Sequence, residues 1–222
     1  MLNTRPQSTT QQGEAYRKLQ ELEEMGFVIL KPFPDRVDPS EWESLEYIDW
    51  KSGGDTNFAP IATATGDMSV AGFWDFGKPD KGGIWNANAA KCPTLVKWVE
   101  SVGAEFGRVR VIKLNPNTYE QVSERFLHQD DNNRLNPPGT GWVVRSWLQL
   151  TDNPDSYMVV RETQDDPATE SHIPLPRNSQ FVVDTQRLWH AVYHPGPEPR
   201  YALITSFETS DPLQRWIEAN RA

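Results

Sequence analysis

His128 and Asp130 stand two residues apart in the run Phe126-Leu127-His128-Gln129-Asp130. On extended chain, residues i and i+2 point to the same face. An imidazole nitrogen and a carboxylate oxygen therefore leave the backbone side by side and can grip one metal ion. A third ligand can come from far along the chain, and His190, in Leu188-Trp189-His190-Ala191-Val192, is the candidate. Two histidines and one carboxylate on one face form the facial triad suited to Fe(II), which leaves positions open for O2 and other exogenous ligands. The bland alternative makes both histidines ordinary polar residues at strand ends. Against it, the chain has four histidines and two sit in the required arrangement. Arg200 follows His190 by ten residues. Its planar guanidinium can hold a carboxylate through two hydrogen bonds and stays charged at any relevant pH.

The elements that must position these groups are mostly short strands. The spacing predicts a helix over Glu14–Met25 stopped by Gly26, then a strand over 26–30. Residues 35–66 show no clear period. A strand is expected over 68–76, loop over 77–91, and a helix over Pro93–Phe106, with Leu95, Trp98, Val99, Val102 and Phe106 as its apolar stripe. Strands are then expected over 108–114, 121–130, 141–151, 156–162, 179–184, 187–194 and 200–208. Turn signals such as Asp152-Asn153-Pro154-Asp155 separate them. Residues 163–178 read as a long loop or lid, and Asp211-Pro212 opens a closing helix. His190 and Arg200 flank the turn Pro195-Gly196-Pro197, which would put them on adjacent strands. Helices first and many short strands after imply an antiparallel double-sheet barrel with helices on one outer face.

Composition bounds the rest. At 222 residues the chain fits one domain, with residues 1–13 a loose polar tail. Net charge is 22 − 31 = −9, which argues against a nucleic-acid backbone as partner. No apolar run approaches the roughly 20 residues that span a bilayer, and no charged-then-apolar leader opens the sequence. A single cysteine, Cys92, permits no internal disulfide and suits a reducing cytoplasm.

The triad with its arginine resembles the Fe(II)/2-oxoglutarate-dependent dioxygenase superfamily, over roughly residues 107–208. Nearest is the aspartyl/asparaginyl hydroxylase-like branch, which includes free-proline hydroxylases. The similar stretches are Arg110-Val111-Ile112-Lys113-Leu114-Asn115-Pro116, His128-Gln129-Asp130, Val144-Arg145-Ser146-Trp147-Leu148-Gln149-Leu150, and Trp189-His190 with Arg200. The resemblance implies a double-stranded β-helix, or jelly roll. It implies iron on His128, Asp130 and His190, with the far carboxylate of 2-oxoglutarate on Arg200. Arg145 would hold the keto-acid end, or form a salt bridge across the barrel mouth. Trp147 stands where the branch often has a histidine. The family's halogenases leave the carboxylate position as Gly or Ala. Asp130 fills it, so the expected chemistry is O2-dependent oxidation of a C–H bond, by hydroxylation, desaturation or cyclisation, with release of succinate and CO2.

Other residues carry weaker signals. Asn132 and Arg134 follow the ligands and could bind a substrate carboxylate or amide, and Trp74 and Trp85 could wall the pocket. A small amino-acid-like or peptide-like substrate would suit the resemblance. His172 reads as solvated. His194 would lie about 13 Å along the strand from His190, too far to share its metal. Cys92 reads as a helix cap or apolar filler. Two rival readings remain: a non-redox metal-binding jelly roll, such as a cupin-like isomerase or binding protein, and a non-enzymatic interaction module.

Overall fold

In this computed structural model residues 16–50 and 54–222 are described, and the predicted tail over 1–13 lies outside them. The strands are β1 Phe27–Leu30, β2 Ile48–Asp49, β3 Thr56–Thr63, β4 Ile84–Trp85, β5 Phe106–Leu114, β6 Val143–Gln149, β7 Tyr157–Arg161, β8 Ser171–Pro174, β9 Gln180–Val183, β10 Trp189–Tyr193 and β11 Arg200–Glu208. The helices are α1 Ser40–Glu43, α2 Pro93–Ser101, α3 Tyr119–Gln121 and α4 Asp211–Asn220. The large antiparallel sheet runs β1-β9-β6-β11-β5-β3-β2, with β4 paired to β3, and the small one runs β10-β7-β8.

Period-two alternation builds the layers. Val109, Val111, Leu148, Leu203 and Phe207 point outward and pack with Leu95, Trp98 and Val99 of α2 and Leu213 and Ile217 of α4. Each such wholly buried leucine contributes about 1.5–3 kcal/mol. Their opposite neighbours point inward. Phe58, Trp147, Phe181, Ala202 and Ile204 of the large sheet meet Met158, Val160 and Ile173 of the small one. Helices thus cover one outer face of a jelly roll whose two sheets face each other. No ladder joins the sheets among the described residues, so the barrel is open. Helix α2 is held at its start by a distant carboxylate: the N–H groups of Thr94 and Leu95 donate to Glu41 at 2.8 and 3.3 Å.

Several expected elements differ. Over the described part of 14–25 there is only a 3-10 turn, Gln20–Leu22. Arg17 forms an isolated bridge with Gly141, and Trp142 donates to its carbonyl, so this stretch is drawn out against the sheet. Phe73–Phe76 is a 3-10 turn, not a strand. Helix α2 ends five residues early, at Ser101, and Gly103 with φ 70° turns the chain so that Phe106 opens β5. The stretch 121–130 is not a strand: Thr118 and Gln121 form a reciprocal cap on α3, which runs into a wide turn over Val122–Phe126. Residues 163–178 are not a free loop, because β8 pairs with β7 and buries Ile173 and Leu175. Finally, β10 and β11 are not adjacent. They lie in different sheets, so His190 and Arg200 approach the interior from opposite sides.

Candidate metal centre

His128 is placed by the wide turn before it. Leu127 donates to Val122 five residues back at 3.2 Å, a π-type turn of the kind often found beside functional residues. Val122 and Leu127 pack on Val159 and Ala191, on the back of the small sheet. The chain then bridges β10: His128 N–H donates to the His190 carbonyl at 3.2 Å, and His190 N–H donates to the His128 carbonyl at 2.9 Å. Asp130 N–H donates to the Thr185 carbonyl at 2.9 Å. The three candidate ligands are therefore fixed by backbone.

One donor atom from each of His128, Asp130 and His190 lies within 4.8 Å of the others. Both rings are oriented the same way. Nδ1–H of His128 donates to the Phe126 carbonyl at 2.8 Å, and Nδ1–H of His190 to the Leu188 carbonyl at 3.3 Å. That tautomer leaves each Nε2 lone pair facing the shared centre, as a metal ligand requires. Burial, and then the neighbouring His128, push His190 down to about 4, so it is neutral and able to coordinate at pH 7. Burial works against ionising Asp130. The Arg145 guanidinium outweighs it and holds the carboxyl well below the usual range. Two imidazoles, each with its Nδ1–H spent on a backbone carbonyl, and one carboxylate form a donor set that fits a divalent ion.

Arg145 is the clamp behind this carboxylate. Its Nε donates to Asp130 Oδ2 at 3.1 Å, one Nη to Asn132 Oδ1 at 2.6 Å, and the other to Ser206 Oγ. That second Nη also lies 3.2 Å from Asp80 Oδ2. Asp80 is wholly enclosed, 3.2 Å from Arg108 as well, and accepts from Ser206 Oγ at 2.9 Å. Burial raises its pKa, but the two guanidiniums bring it below the usual value. Sequence reading missed Asp80 altogether, since it sits in a loop 65 residues before Arg145.

A cavity of about 70 Å³ opens beside the triad. His128, Asp130, His190, Arg145 and Arg110 line it with Phe58, Ile112, Leu114, Trp147, Met158, Val192 and Ile204. Arg200 lies at its far side, beside Leu114 in the β5–β11 register and 1% exposed. One Nη donates to Gln149 Oε1, its Nε has no acceptor, and it makes no ion pair among the described residues. Burial pulls its guanidinium down to about 9, which still leaves a cation at neutral pH. A buried guanidinium that has no ion pair among the described residues and stands beside a cavity-lining leucine is a place for a carboxylate.

The residues expected to touch substrate are elsewhere. Asn132 is buried, bonded to Arg145 and, at 2.9 Å, to Thr185. Arg134 is exposed on a turn. Trp74 stands over Arg108, with 5.2 Å from ring centroid to guanidinium carbon, and Trp85 packs on Phe106 at 4.6 Å. None of the four lines the cavity. His172 is exposed and bonded to Glu170 at 2.5 Å. His194 is buried between Ser156 Oγ at 2.8 Å and the Glu198 carbonyl at 2.7 Å, outside the metal cluster. Cys92 fills core without a side-chain capping bond, its thiol pushed up to about 12 by burial and then by Glu41.

No protein-family model matches the chain, and no curated protein matches it in sequence. Solved structures do match in fold. An oxidoreductase of the 2OG-Fe(II) oxygenase family from Burkholderia pseudomallei aligns with TM-score 0.56 and 15% identity, over 85% of this chain and 88% of that one. A prolyl hydroxylase from Trichoplax adhaerens, in complex with a hypoxia-inducible-factor peptide, gives TM-score 0.50 at 12% identity, over 87% and 88%. The non-haem alpha-ketoglutarate-dependent carbocyclase SnoK of nogalamycin biosynthesis gives 0.50 at 14%, over 86% and 82%. The fold is the jelly roll that these oxygenases share. Among the described residues no helix is long and apolar enough to cross a membrane.

Proposed function

We propose that this chain is an Fe(II)- and 2-oxoglutarate-dependent oxygenase that oxidises, most simply hydroxylates, a C–H bond of a small amino-acid-like or peptide-like molecule. The observation that carries the reading is the pairing of His128, Asp130 and His190 with a buried Arg200 that, among the described residues, has no counter-charge. A metal-binding jelly roll without redox chemistry has no need of that second feature. Fe(II) and 2-oxoglutarate, when bound, supply O2-dependent decarboxylation to succinate and CO2 coupled to oxidation of the substrate.

The chain's own residues do the rest. His128 and His190 hold the metal through Nε2, because their Nδ1–H groups are spent on backbone carbonyls. Arg145 keeps Asp130 ionised and aimed, which is a positioning role. Its Nε and both Nη already donate to Asp130, Asn132 and Ser206, and the keto-acid end of the co-substrate would sit on the metal. Arg200 takes the far carboxylate as a fork. Trp147, edge-on to His190 at 6.3 Å and stacked on Phe181 at 5.3 Å, walls the site with apolar surface and keeps water from it.

The test is succinate formation by anaerobically purified protein given Fe(II), ascorbate, 2-oxoglutarate and air. Slow succinate release without added substrate, lost in His128→Ala and in Arg200→Ala, is the expected result. No succinate, together with tightly retained zinc, would move the assignment to a non-redox metal protein.

A further inference from the structure

Arg110 is the one cavity-lining cation that the functional reading above leaves without work. It sits on β5, whose inward residues Arg110, Ile112 and Leu114 all line the cavity. Among the described residues it makes no ion pair, and its buried Nε finds no acceptor. Among the described residues its guanidinium rests on the ring of Phe58, 3.9 Å from centroid to guanidinium carbon. Arg108 and Arg145 show how this fold treats the other arginines near the metal: both are tied to Asp80. Arg110 is left open to the cavity.

The register separates its task from that of Arg200. Arg110 pairs with Ile204 and Leu114 with Arg200, four residues further along both strands, which is about 13 Å. Arg110 is at the metal end of the cavity and Arg200 at the opposite end. A co-substrate chelating the metal and reaching Arg200 leaves the Arg110 guanidinium free. We propose that Arg110 binds a carboxylate on the primary substrate, whose remaining body is apolar. A single planar fork suits one carboxylate. Phe58, Ile112, Met158, Val192 and Ile204 offer hydrocarbon contact on the same walls. Burial, and repulsion from Arg108 and Arg145, make the free guanidinium costly to keep charged, and a bound anion relieves that cost.

This inference rests on the oxygenase reading, and the experiment keeps the two apart. Anaerobic protein receives Fe(II) and 2-oxoglutarate, and the visible charge-transfer band of the Fe(II)–2-oxoacid chelate is recorded. Hexanoate, octanoate and phenylacetate are then titrated by calorimetry against their primary amides. At least one acid should bind at least about tenfold more tightly than its amide, the scale of a buried charge pair. Arg110→Gln should form the same band with the same 2-oxoglutarate affinity and lose the acid preference, and Arg110→Lys should recover part of it. Equal binding of acids and amides, binding of no acid to the wild type, or an acid preference that survives in Arg110→Gln would overturn the inference. So would an Arg110→Gln protein that no longer takes up 2-oxoglutarate, since Arg110 would then be the co-substrate's anchor. Absence of the band in the wild type would instead refute the oxygenase reading itself.

Discussion

Buried charges in this protein divide into those with partners and those without, and the two kinds respond oppositely to removal. Asp80 neutralises Arg108 and Arg145 together. Asp80→Asn should cost about 3–5 kcal/mol, because it strands two buried cations; urea denaturation measures it. Its folded pKa lies below the usual value. The stability it lends is complete above the unfolded value of about 3.9 and drains away as pH falls toward the lower folded value. The variant should lose that part of the acid dependence. Arg200 has no counter-charge to strand among the described residues. Arg200→Gln should leave the ligand-free protein as stable or up to about 2 kcal/mol more stable, while 2-oxoglutarate binding is lost; thermal melts with and without the diacid separate the two effects. The triad was legible because two-residue spacing translates directly into a shared face. Arg110 was not, since a cation at alternate positions of a strand reads equally well as a solvated one. Only the facing sheet reveals that its side is the inner one.

Among the elements, the loop that carries Asp80 is seated by backbone contact. A Cβ on Gly107 would lie 2.1 Å from the Asp80 carbonyl oxygen, so β5 accepts the loop only where it has no side chain. Gly107→Ala should push the loop off the strand and withdraw Asp80 from Arg145. Metal affinity should fall about 10–100-fold, as when the support of a ligand is removed; competition with a chromogenic chelator measures this. Strands β1, β5, β6, β7, β9, β10 and β11 could be read from sequence, β5 by its alternation and the others largely by the turn signals that bound them. Strand β3 could not, because Pro60 interrupts it beside a shift in its register with β5, and proline argues against a central strand. Leu19 and Leu22 have helical spacing, yet Arg17 is already committed to Gly141. The turn before His128 did carry a signal, Thr118-x-x-Gln121, the reciprocal cap that opens a helix.

On the scale of the molecule, the fold class and the side on which the helices pack were readable from the order of elements, whereas sheet membership was not. The long-range pairing of β10 with β7 and of β11 with β5 and β6 leaves no local mark in the sequence. That partition has a mechanical consequence. The proposed metal site takes His190 from the small sheet and His128 from the strap bridged to it. The proposed diacid anchor, Arg200, belongs to the large sheet, and among the described residues no ladder joins the two. Metal and diacid bound together would act as a rivet through a seam held by apolar packing and, among the described residues, crossed by no ladder. A ligand at a hundred times its dissociation constant stabilises by about 2.7 kcal/mol. In hydrogen exchange, amides of β7, β8 and β10 should therefore slow most when both are added, less with metal alone, and least with diacid alone, while the helix-backed strands β5, β6 and β11 change little. Uniform slowing across both sheets would mean that the seam does not open on its own.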